Sequence, residues 1–177
     1  HDYGYDIADY KSIAPEYGTV EEFKELLDAA HSKGLKIIMD LVINHTSDEH
    51  QWFIESKKGK DNPYHDYYFW RDGKGKKTPN NWSSLFEGKA WEYNKENGQY
   101  YLHLFSKKQP DLKMENPEVR KEVKEIMKYW LDMGVDGFRE DVITFTSKRD
   151  GLPNGFPIPQ ACGMEHYKDG PRIHEFL

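Results

Sequence analysis

The sequence predicts an α/β fold in which helices alternate with parallel strands, and two observations support this expectation. Residues 36–45 form an almost continuous apolar run that is interrupted by one carboxylate, Asp40. Such a run is typical of a strand that is covered on both faces, as in parallel sheets. A helix-forming segment precedes this run, and a second helix and strand follow at residues 116–141. We therefore expect repeated strand and helix units around one parallel sheet.

The first helix is predicted by the signals at its two ends. Thr19 and Glu22 have the spacing of a capping box, and Gly34 is a stop signal. The helix is therefore expected to run from Thr19 to Lys33. Its apolar side chains recur at helical spacing, which predicts one buried face. They are Phe23, Leu26, Leu27 and Ala30.

The second helix has equally clear limits. Asn116 is a favourable N-cap, Pro117 fits the first helical turn, and Gly134 ends the segment. A short strand at residues 134–141 follows it and carries charged side chains near its end. The apolar stripe that is expected to face the core consists of Val119, Val123, Ile126, Met127, Trp130 and Leu131.

Arg139 and Asp141 are the first candidate functional residues. Side chains alternate along a strand, so these two are expected to point to the same face. A guanidinium so close to a carboxylate favours its ionised form, which suits a nucleophile or a group that stabilises a cation. A structural ion pair at a strand end explains the same short pattern equally well.

Asp40 and His45 belong to the other predicted strand. A carboxylate inside a buried apolar run needs a partner, and Arg139 on a neighbouring strand is the natural candidate. Asp40 is therefore expected to be a structural polar residue of the core. His45 comes just after the carboxyl end of its strand, where parallel barrels and open α/β sheets place their active sites.

Residues 46–112 break the regular pattern. They are rich in aromatic residues, lysine, asparagine and glycine, with short extended patches at residues 64–70 and 99–105. An insertion of this length is expected to form a small subdomain rather than a structureless loop. Residues 146–165, rich in glycine and proline, are expected to form a loop. A solvated face is expected for Lys57, Lys58, Lys60, Lys74, Lys76, Lys77, Lys107 and Lys108.

Three short motifs stand at residues 40–45 (DLVINH), 109–112 (QPDL) and 137–141 (GFRED), with further matching stretches at residues 2–7 and 45–50. Together they resemble the α-amylase superfamily of glycoside hydrolases, most closely its oligo-1,6-glucosidase, isomaltase and α-glucosidase branch. The matches are collinear over nearly the whole chain. The resemblance implies a partial (β/α)8 TIM barrel with a small α+β subdomain inserted after the third barrel strand.

The same resemblance divides the chain into three parts. Residues 1–45 would form a partial barrel with its second helix and third strand, and residues 46–112 the inserted subdomain. Residues 113–177 would supply the third helix, the fourth strand and the following loop. A complete barrel needs about 250 residues, whereas this chain has 177 and begins with histidine. We therefore expect an internal excerpt of a larger enzyme, without the first barrel strand and the second half.

By resemblance, Asp141 is the nucleophile of a retaining glycosidase, and Arg139 keeps it ionised. This reaction needs two carboxyl groups about 5 Å apart. The general acid would be a glutamate on a later strand, because no glutamate here fits and Glu140 faces the other side of the sheet. The residues implied to contact the sugar are Asp2, Tyr5, His45, Phe86, Phe105, Gln109, Val142 and Phe145.

The implied activity is hydrolysis of terminal α-linked glucose from short oligosaccharides by double displacement, with these residues alone inactive. Val142, directly after the nucleophile, accompanies a preference for α-1,6 linkages in this branch. Trehalose-6-phosphate hydrolase, dextran glucosidase and sucrose isomerase activities stay open. The alternative is a non-catalytic or truncated relative that only binds sugar, or associates with another chain through exposed barrel edges. Glu140 occupies a position that is usually apolar in the family and would be a buried charge.

Composition limits the partners and the compartment. A net charge of −6 argues against general nucleic-acid binding, and no apolar run approaches the roughly 18 residues of a membrane span. The single cysteine, Cys162, fits a reducing compartment, which favours the cytoplasm. His45 and His50 lack the spacing and the third ligand of a zinc site. No cofactor or metal is expected, and calcium could enter only through residues outside this chain.

Overall fold

The computed structural model describes residues 4–177. The helices are α1 (Val20–Ser32), α2 (Gln51–Ser56), α3 (Pro117–Met133), α4 (Met164–Tyr167) and α5 (Ile173–Phe176). The strands are β1 (Ile38–Leu41), β2 (Trp70–Arg71), β3 (Trp91–Asn94), β4 (Gln99–Leu102) and β5 (Gly137–Glu140). Short 3₁₀ turns lie at His65–Tyr67 and Ile143–Phe145. Within residues 4–177, no helix has the length and apolar content that a membrane crossing requires.

Strands β1 and β5 pair in parallel, as the sequence predicts. Asp40 lies opposite Arg139 in the register, and Leu41 lies opposite Glu140. The ladder extends one residue further, because the backbone amide of Asp141 donates to the carbonyl oxygen of Leu41 at 3.1 Å. In a parallel pair both carboxyl ends lie at the same edge. The residues that follow β1 and β5 are therefore brought together at that edge.

The ends of the two long helices follow their capping signals. Thr19 and Glu22 form the complete capping box of α1. Asn116 caps α3 by accepting a hydrogen bond from the amide of Glu118 at 3.0 Å. Gly134 ends α3 with a φ of 117°, a left-handed conformation that costs glycine little. These caps confirm the predicted helix limits and set where β1 and β5 begin.

Each long helix buries part of its predicted apolar face. The buried residues are Leu27 and Ala30 in α1, and Val119, Val123, Ile126 and Trp130 in α3. Leu26 and Leu131 are exposed, so the prediction that they face the core is wrong. No described residue covers the sides of the helices that carry these two leucines.

The segment between β1 and α3 contains a three-stranded antiparallel sheet in the order β2–β4–β3. The two extended patches supply β2 and β4. An aromatic cluster packed on this sheet includes Phe69, Trp82 and Trp91, and is completed by Leu152 and Tyr167 from the segment after β5. The inserted sheet therefore packs against the chain that follows Asp141, and the division at residues 112 and 113 stays a prediction.

Three residues of the parallel pair, Ile38, Asp40 and Glu140, are more exposed than the sequence predicts. Ile38 is 64% exposed, and the Asp40 side chain is 42% exposed. Glu140 is also exposed. The predictions of a buried Asp40 and of a buried charge at Glu140 are therefore wrong for this chain. Each strand of this pair has only the other as its partner within residues 4–177, so the outer edge of each strand is unpaired among these residues.

Asp136 joins the start of β1 to the start of β5. Its carboxylate accepts a hydrogen bond from the backbone amide of Ile37 at 2.8 Å and lies 2.8 Å from Nε2 of His31. The ammonium of Lys36 lies 3.1 Å away. The amide hydrogen bond from Ile37 and the contact with His31 lower the pKa of Asp136 well below its ordinary value. This carboxylate therefore joins α1, β1 and β5 at the end opposite the carboxyl ends of the two strands.

Candidate active site

A hollow of about 180 Å³ opens at the carboxyl edge of β1 and β5. Its walls combine one carboxylate with aromatic and amide side chains, and all of them were singled out from the sequence. The lining residues are Tyr5, His45, Phe86, Phe105, Gln109 and Asp141. The fold thus gathers six predicted site residues from four separate parts of the chain. We call this hollow the sugar pocket, after the ligand that the family resemblance implies.

Arg139 holds two carboxylates beside the sugar pocket. Its Nη1 atom donates to Oδ1 of Asp141 at 2.6 Å and to Oδ2 of Asp40 at 3.0 Å. The prediction that Arg139 and Asp141 share one face of β5 is confirmed, as is the pairing of Arg139 with Asp40. The hydrogen bond to Asp141 and the charge of Asp40 raise the pKa of Arg139. The guanidinium is therefore a permanent cation at this edge.

Tyr5 connects the first described residues to β1 and to the inserted segment. Its hydroxyl donates to Oδ2 of Asp40 at 2.8 Å, and this hydrogen bond raises the pKa of Tyr5. Its backbone carbonyl accepts hydrogen bonds from Nε2 of His45 at 2.9 Å and from Nε2 of Gln109 at 3.1 Å. Three predicted site residues are thus linked through one residue. Asp2, which the sequence also assigns to the sugar, lies outside the described residues.

His45 is only 2% exposed, and both of its ring nitrogens have polar neighbours. The carbonyl of Tyr5 can only accept, so Nε2 of His45 carries the proton in that contact. Nδ1 then accepts from Nδ2 of Asn44 at 3.2 Å. In this arrangement a direct hydrogen bond from His45 to a sugar hydroxyl requires the contact with Tyr5 to be given up.

Aromatic rings form one wall of the sugar pocket. The rings of Phe86 and Phe105 lie 5.5 Å apart at 70°, and Phe105 lies 5.4 Å from the ring of His45. Phe86 is 61% exposed at the rim. Phe145 does not line the pocket but supports Phe105 from behind, with its ring 6.0 Å away in an edge-to-face contact. The pocket is therefore lined with flat apolar surface beside the carboxylate of Asp141.

Val142 follows Asp141 and does not line the sugar pocket either. Its φ is 43°, in the left-handed region. A β-branched residue adopts this conformation rarely and at a cost in strain. The chain therefore turns sharply directly after Asp141, and the 3₁₀ turn Ile143–Phe145 brings Phe145 behind Phe105.

A buried ion pair near the pocket was not foreseen from the sequence. Nζ of Lys148 lies 2.9 Å from Oδ2 of Asp111 and donates to the carbonyl of Phe145 at 2.9 Å. It also lies 4.8 Å from the ring centroid of Phe69. Oδ1 of Asp111 accepts from the amide of Leu104 at 2.9 Å. The motif at residues 109–112 points to Asp111, but no sequence pattern marks its partner in the loop.

Across residues 4–177, no three side chains of the histidine, cysteine, aspartate or glutamate type converge as metal ligands would. The charges at the carboxyl edge are instead satisfied by each other, through Arg139, Asp40 and Asp141. The site can therefore present an anionic oxygen of Asp141 to a ligand that enters among the aromatic rings.

Parallel strands joined by helices, with a carboxylate at the carboxyl edge beside a pocket, are typical of the (β/α)8 class of enzymes. The whole chain also matches a family model. The alpha-amylase model, described as the alpha amylase catalytic domain, covers residues 1–177. The chain therefore belongs to the α-amylase family of glycoside hydrolases.

Individual relatives agree with this assignment. The chain is 61% identical over 179 residues to an oligo-1,6-glucosidase from Parageobacillus thermoglucosidasius, a match covering 99% of this chain and 32% of that protein. An alpha-glucosidase from Pediococcus pentosaceus is 56% identical over 177 residues, covering 99% of this chain and 32% of that protein. The chain thus spans about a third of the length of the curated relatives that it matches.

Solved structures extend the likeness to the fold. A crystal structure of a trehalose-6-phosphate hydrolase from Bacillus licheniformis superposes with a TM-score of 0.96 at 52% identity, covering 100% of this chain and 32% of that one. An isomaltulose synthase mutant from Erwinia rhapontici gives a TM-score of 0.92 at 46% identity, covering 98% and 31%. These neighbours support a (β/α)8-type fold for this chain.

Proposed function

We propose that this chain supplies the nucleophile and the glucose-binding pocket of a retaining α-glucosidase. The substrate would be a short oligosaccharide with a terminal α-linked glucose, and α-1,6 linkages would be preferred. The names of the relatives, oligo-1,6-glucosidase and alpha-glucosidase, support this substrate class. The observation that carries the proposal is the carboxylate of Asp141, held 2.6 Å from Arg139 at the wall of the sugar pocket.

The geometry suits a reaction in two steps. In the first step, an oxygen of Asp141 would attack the anomeric carbon as the glycosidic bond breaks, and a second carboxyl group of the intact protein would give its proton to the leaving sugar, which yields a covalent glucosyl-enzyme. Arg139 contacts Asp141 through one oxygen, Oδ1, so the other oxygen can attack. In the second step, water attacks the same carbon and releases glucose with its α configuration retained.

The aromatic and amide residues would position the glucosyl unit. Phe86 and Phe105 offer flat faces against the apolar C–H face of a sugar ring. Gln109 is anchored by its contacts with Tyr5 and the amide of Ser106. Pockets for drug-sized ligands span roughly 300–1,000 Å³, so a hollow of about 180 Å³ suits a single sugar ring.

The second carboxyl group would come from a part of the intact protein beyond residues 4–177. The lining of the sugar pocket includes no glutamate among the residues that the structure describes. Asp40 accepts hydrogen bonds from Tyr5 and Arg139 and does not line the pocket. Glu140 neighbours Asp141 on a strand, where adjacent side chains face opposite ways. These 177 residues by themselves are therefore expected to give no turnover of natural substrates.

A chimera tests the proposal directly. The matching segment of the Parageobacillus oligo-1,6-glucosidase would be replaced by this chain, and hydrolysis of an aryl α-glucoside would be measured. We expect activity in the chimera, loss of at least about a thousandfold in kcat for Asp141→Asn, and little change for the exposed Asp150→Asn. Full activity of the Asp141→Asn chimera would refute the assignment of the nucleophile.

A second candidate function rests on the open faces of β1 and β5. The exposed Ile38 and the unpaired strand edges among residues 4–177 would suit a chain that binds sugar but acts by association with another chain or with itself. A chimera that binds glucose without hydrolysis would support this candidate.

Under either proposed function we place the protein in the cytoplasm, because the free thiol of Cys162 fits a reducing compartment.

A further inference from the structure

A hollow that shares no lining residue with the sugar pocket lies beside the inserted sheet. Its volume is about 490 Å³, and a neighbouring hollow of about 300 Å³ shares part of its wall, including Lys74, Asn80 and Asn154. The two hollows form one groove, which also contains Lys77, Trp82 and Lys89. We call it the lysine groove. It runs between the inserted sheet and the loop that follows β5.

The charges of the lysine groove are not balanced by carboxylates. Within residues 4–177, no ion pair involves Lys74, Lys77 or Lys89. Other lysines of the insert behave differently, because Lys57, Lys58, Lys60 and Lys108 each pair with an acidic side chain. Three like charges around one hollow repel each other, and a bound anion would relieve that repulsion. The lysines for which a solvated face was predicted therefore differ: Lys57, Lys58, Lys60 and Lys108 are paired, whereas Lys74 and Lys77 form no ion pair among the described residues.

The one carboxylate at the far end of the groove already has partners. Asp72 accepts a hydrogen bond from Nε2 of Gln99 at 2.9 Å and lies 3.5 Å from the ammonium of Lys60. The hydrogen bond from Gln99 and the charge of Lys60 lower the pKa of Asp72. The charge of Asp72 is therefore already partly countered by Lys60.

The floor of the lysine groove is fixed by hydrogen bonds. The buried side chain of Asn80 accepts from the amide of Trp82 at 3.0 Å and from the indole of Trp91 at 2.7 Å. It donates to the carbonyl of Leu152 at 3.0 Å. Lys74 and Lys77 exchange backbone hydrogen bonds of 2.9 and 3.2 Å across a tight turn. The cations therefore project from an ordered frame, which lowers the entropy that binding costs.

We propose that the lysine groove binds a phosphate monoester, with sugar phosphates as the ligand class. Ammonium groups bind phosphate as point charges through charge-assisted hydrogen bonds. A volume of about 490 Å³ leaves room for a sugar beside the phosphate. The chain carries a net charge of −6, so general attraction of anions is weak and binding depends on this local cluster. Because Asn154 belongs to the loop after β5, the ligand also bridges that loop and the insert.

Calorimetric titration of the intact protein tests the proposal, with inorganic phosphate, glucose 6-phosphate and glucose as probes. We expect saturable binding of both phosphates that weakens as ionic strength rises. Lys74→Gln, Lys77→Gln and Lys89→Gln combined should weaken phosphate binding by about tenfold or more. Tighter binding of glucose 6-phosphate than of inorganic phosphate would assign the groove to sugar phosphates, and equal binding would assign it to the phosphate group alone.

A matched variant separates a built site from total charge. Lys57→Gln, Lys58→Gln and Lys108→Gln remove the same number of cations from the paired set, and this variant should bind phosphate as the unchanged protein does. Absence of phosphate binding, or unchanged binding after loss of the three groove lysines, would overturn the proposal. An equal loss in both triple variants would also overturn it, since binding would then follow net charge.

Discussion

The ammonium of Lys148 lies 2.9 Å from the carboxylate of Asp111, and both side chains are 0% exposed. This ion pair joins the loop after β5 to the segment that closes the insert. Lys148 also donates to the carbonyl of Phe145, whose ring supports Phe105 in the wall of the sugar pocket. The pair therefore fixes the aromatic wall relative to the strand end that carries Asp141.

Lys148→Met is expected to destabilise the protein strongly. It would leave the buried carboxylate of Asp111 without its cation, which costs roughly 3–5 kcal/mol. Adding Asp111→Asn should recover much of that loss, since no uncompensated charge remains. Chemical denaturation measures both values. As a control, Lys128→Met removes an exposed cation paired with Asp132 and should cost under about 1 kcal/mol. Equal losses in Lys148→Met and Lys128→Met would contradict a structural role for the buried pair.

Asp136 should make stability depend on pH in the acidic range. Its pKa is lowered in the folded protein from an ordinary value of 3.8, so folding favours the ionised form. The stabilisation is therefore present above that value and is lost as the pH falls through the folded-state pKa. Asp136→Asn should lower the free energy of unfolding at neutral pH, with the difference from the unchanged protein shrinking in acid. A difference that stays constant from neutral pH to pH 2 would exclude this linkage.

His50 should give a second pH dependence at higher pH. It caps α2 by accepting the amide hydrogen of Trp52 at 3.0 Å, and burial lowers its pKa from 6.5 to about 4. The unfolded chain binds a proton below pH 6.5, whereas the folded chain resists it, so stability falls as the pH drops from 6.5 towards 4. The slope from this group is at most about 1.4 kcal/mol per pH unit.

His50→Asn keeps a capping oxygen and removes the titration. In equilibrium unfolding measured between pH 7 and 5, this variant should lose less stability than the unchanged protein. His174→Asn is the control, because His174 is exposed near the end of the chain and should leave the pH slope as it is. The same slope in the His50→Asn variant would show that His50 is not the responsible group.

Val142 should influence the choice of linkage. Its left-handed turn places it directly after Asp141 and before the 3₁₀ turn, and the family resemblance implies that this position influences linkage preference. Val142→Thr keeps the branched shape but replaces one methyl group with a hydroxyl. A change of this size alters the difference in transition-state binding between two substrates by about 1–3 kcal/mol. In the chimera, the ratio of kcat/KM for isomaltose over maltose should fall by about tenfold. An unchanged ratio would remove Val142 from the determinants of specificity.

The helices and the charged strand end were predictable because their causes are local. Thr19, Asn116 and Gly134 act through the backbone of their own turns, and strand alternation puts Arg139 and Asp141 on one face. The predicted pairing of Arg139 with Asp40 is also confirmed, because a charge that is partly removed from water is stabilised by an opposite charge beside it.

The exposure of single residues was less predictable because it depends on distant parts of the chain. Asp40 and Glu140 look buried from their strands alone, yet the Asp40 side chain is 42% exposed and Glu140 is exposed. Lys148 lies in a loop without periodicity, so its pairing with Asp111 has no local signal. The engagement of both ring nitrogens of His45 likewise follows from the fold and not from the sequence.

Covalent trapping tests the central assignment most directly. A glucosyl fluoride that carries a second fluorine on the sugar ring has a leaving group that needs no protonation, so it would load the nucleophile of the chimera. The ring fluorine destabilises the oxocarbenium-like transition state, so the adduct would be released slowly. Peptide mapping by mass spectrometry should find the glucosyl adduct on Asp141 and no adduct in the Asp141→Asn chimera. A label on any other side chain, or hydrolysis that gives an inverted product, would contradict the account.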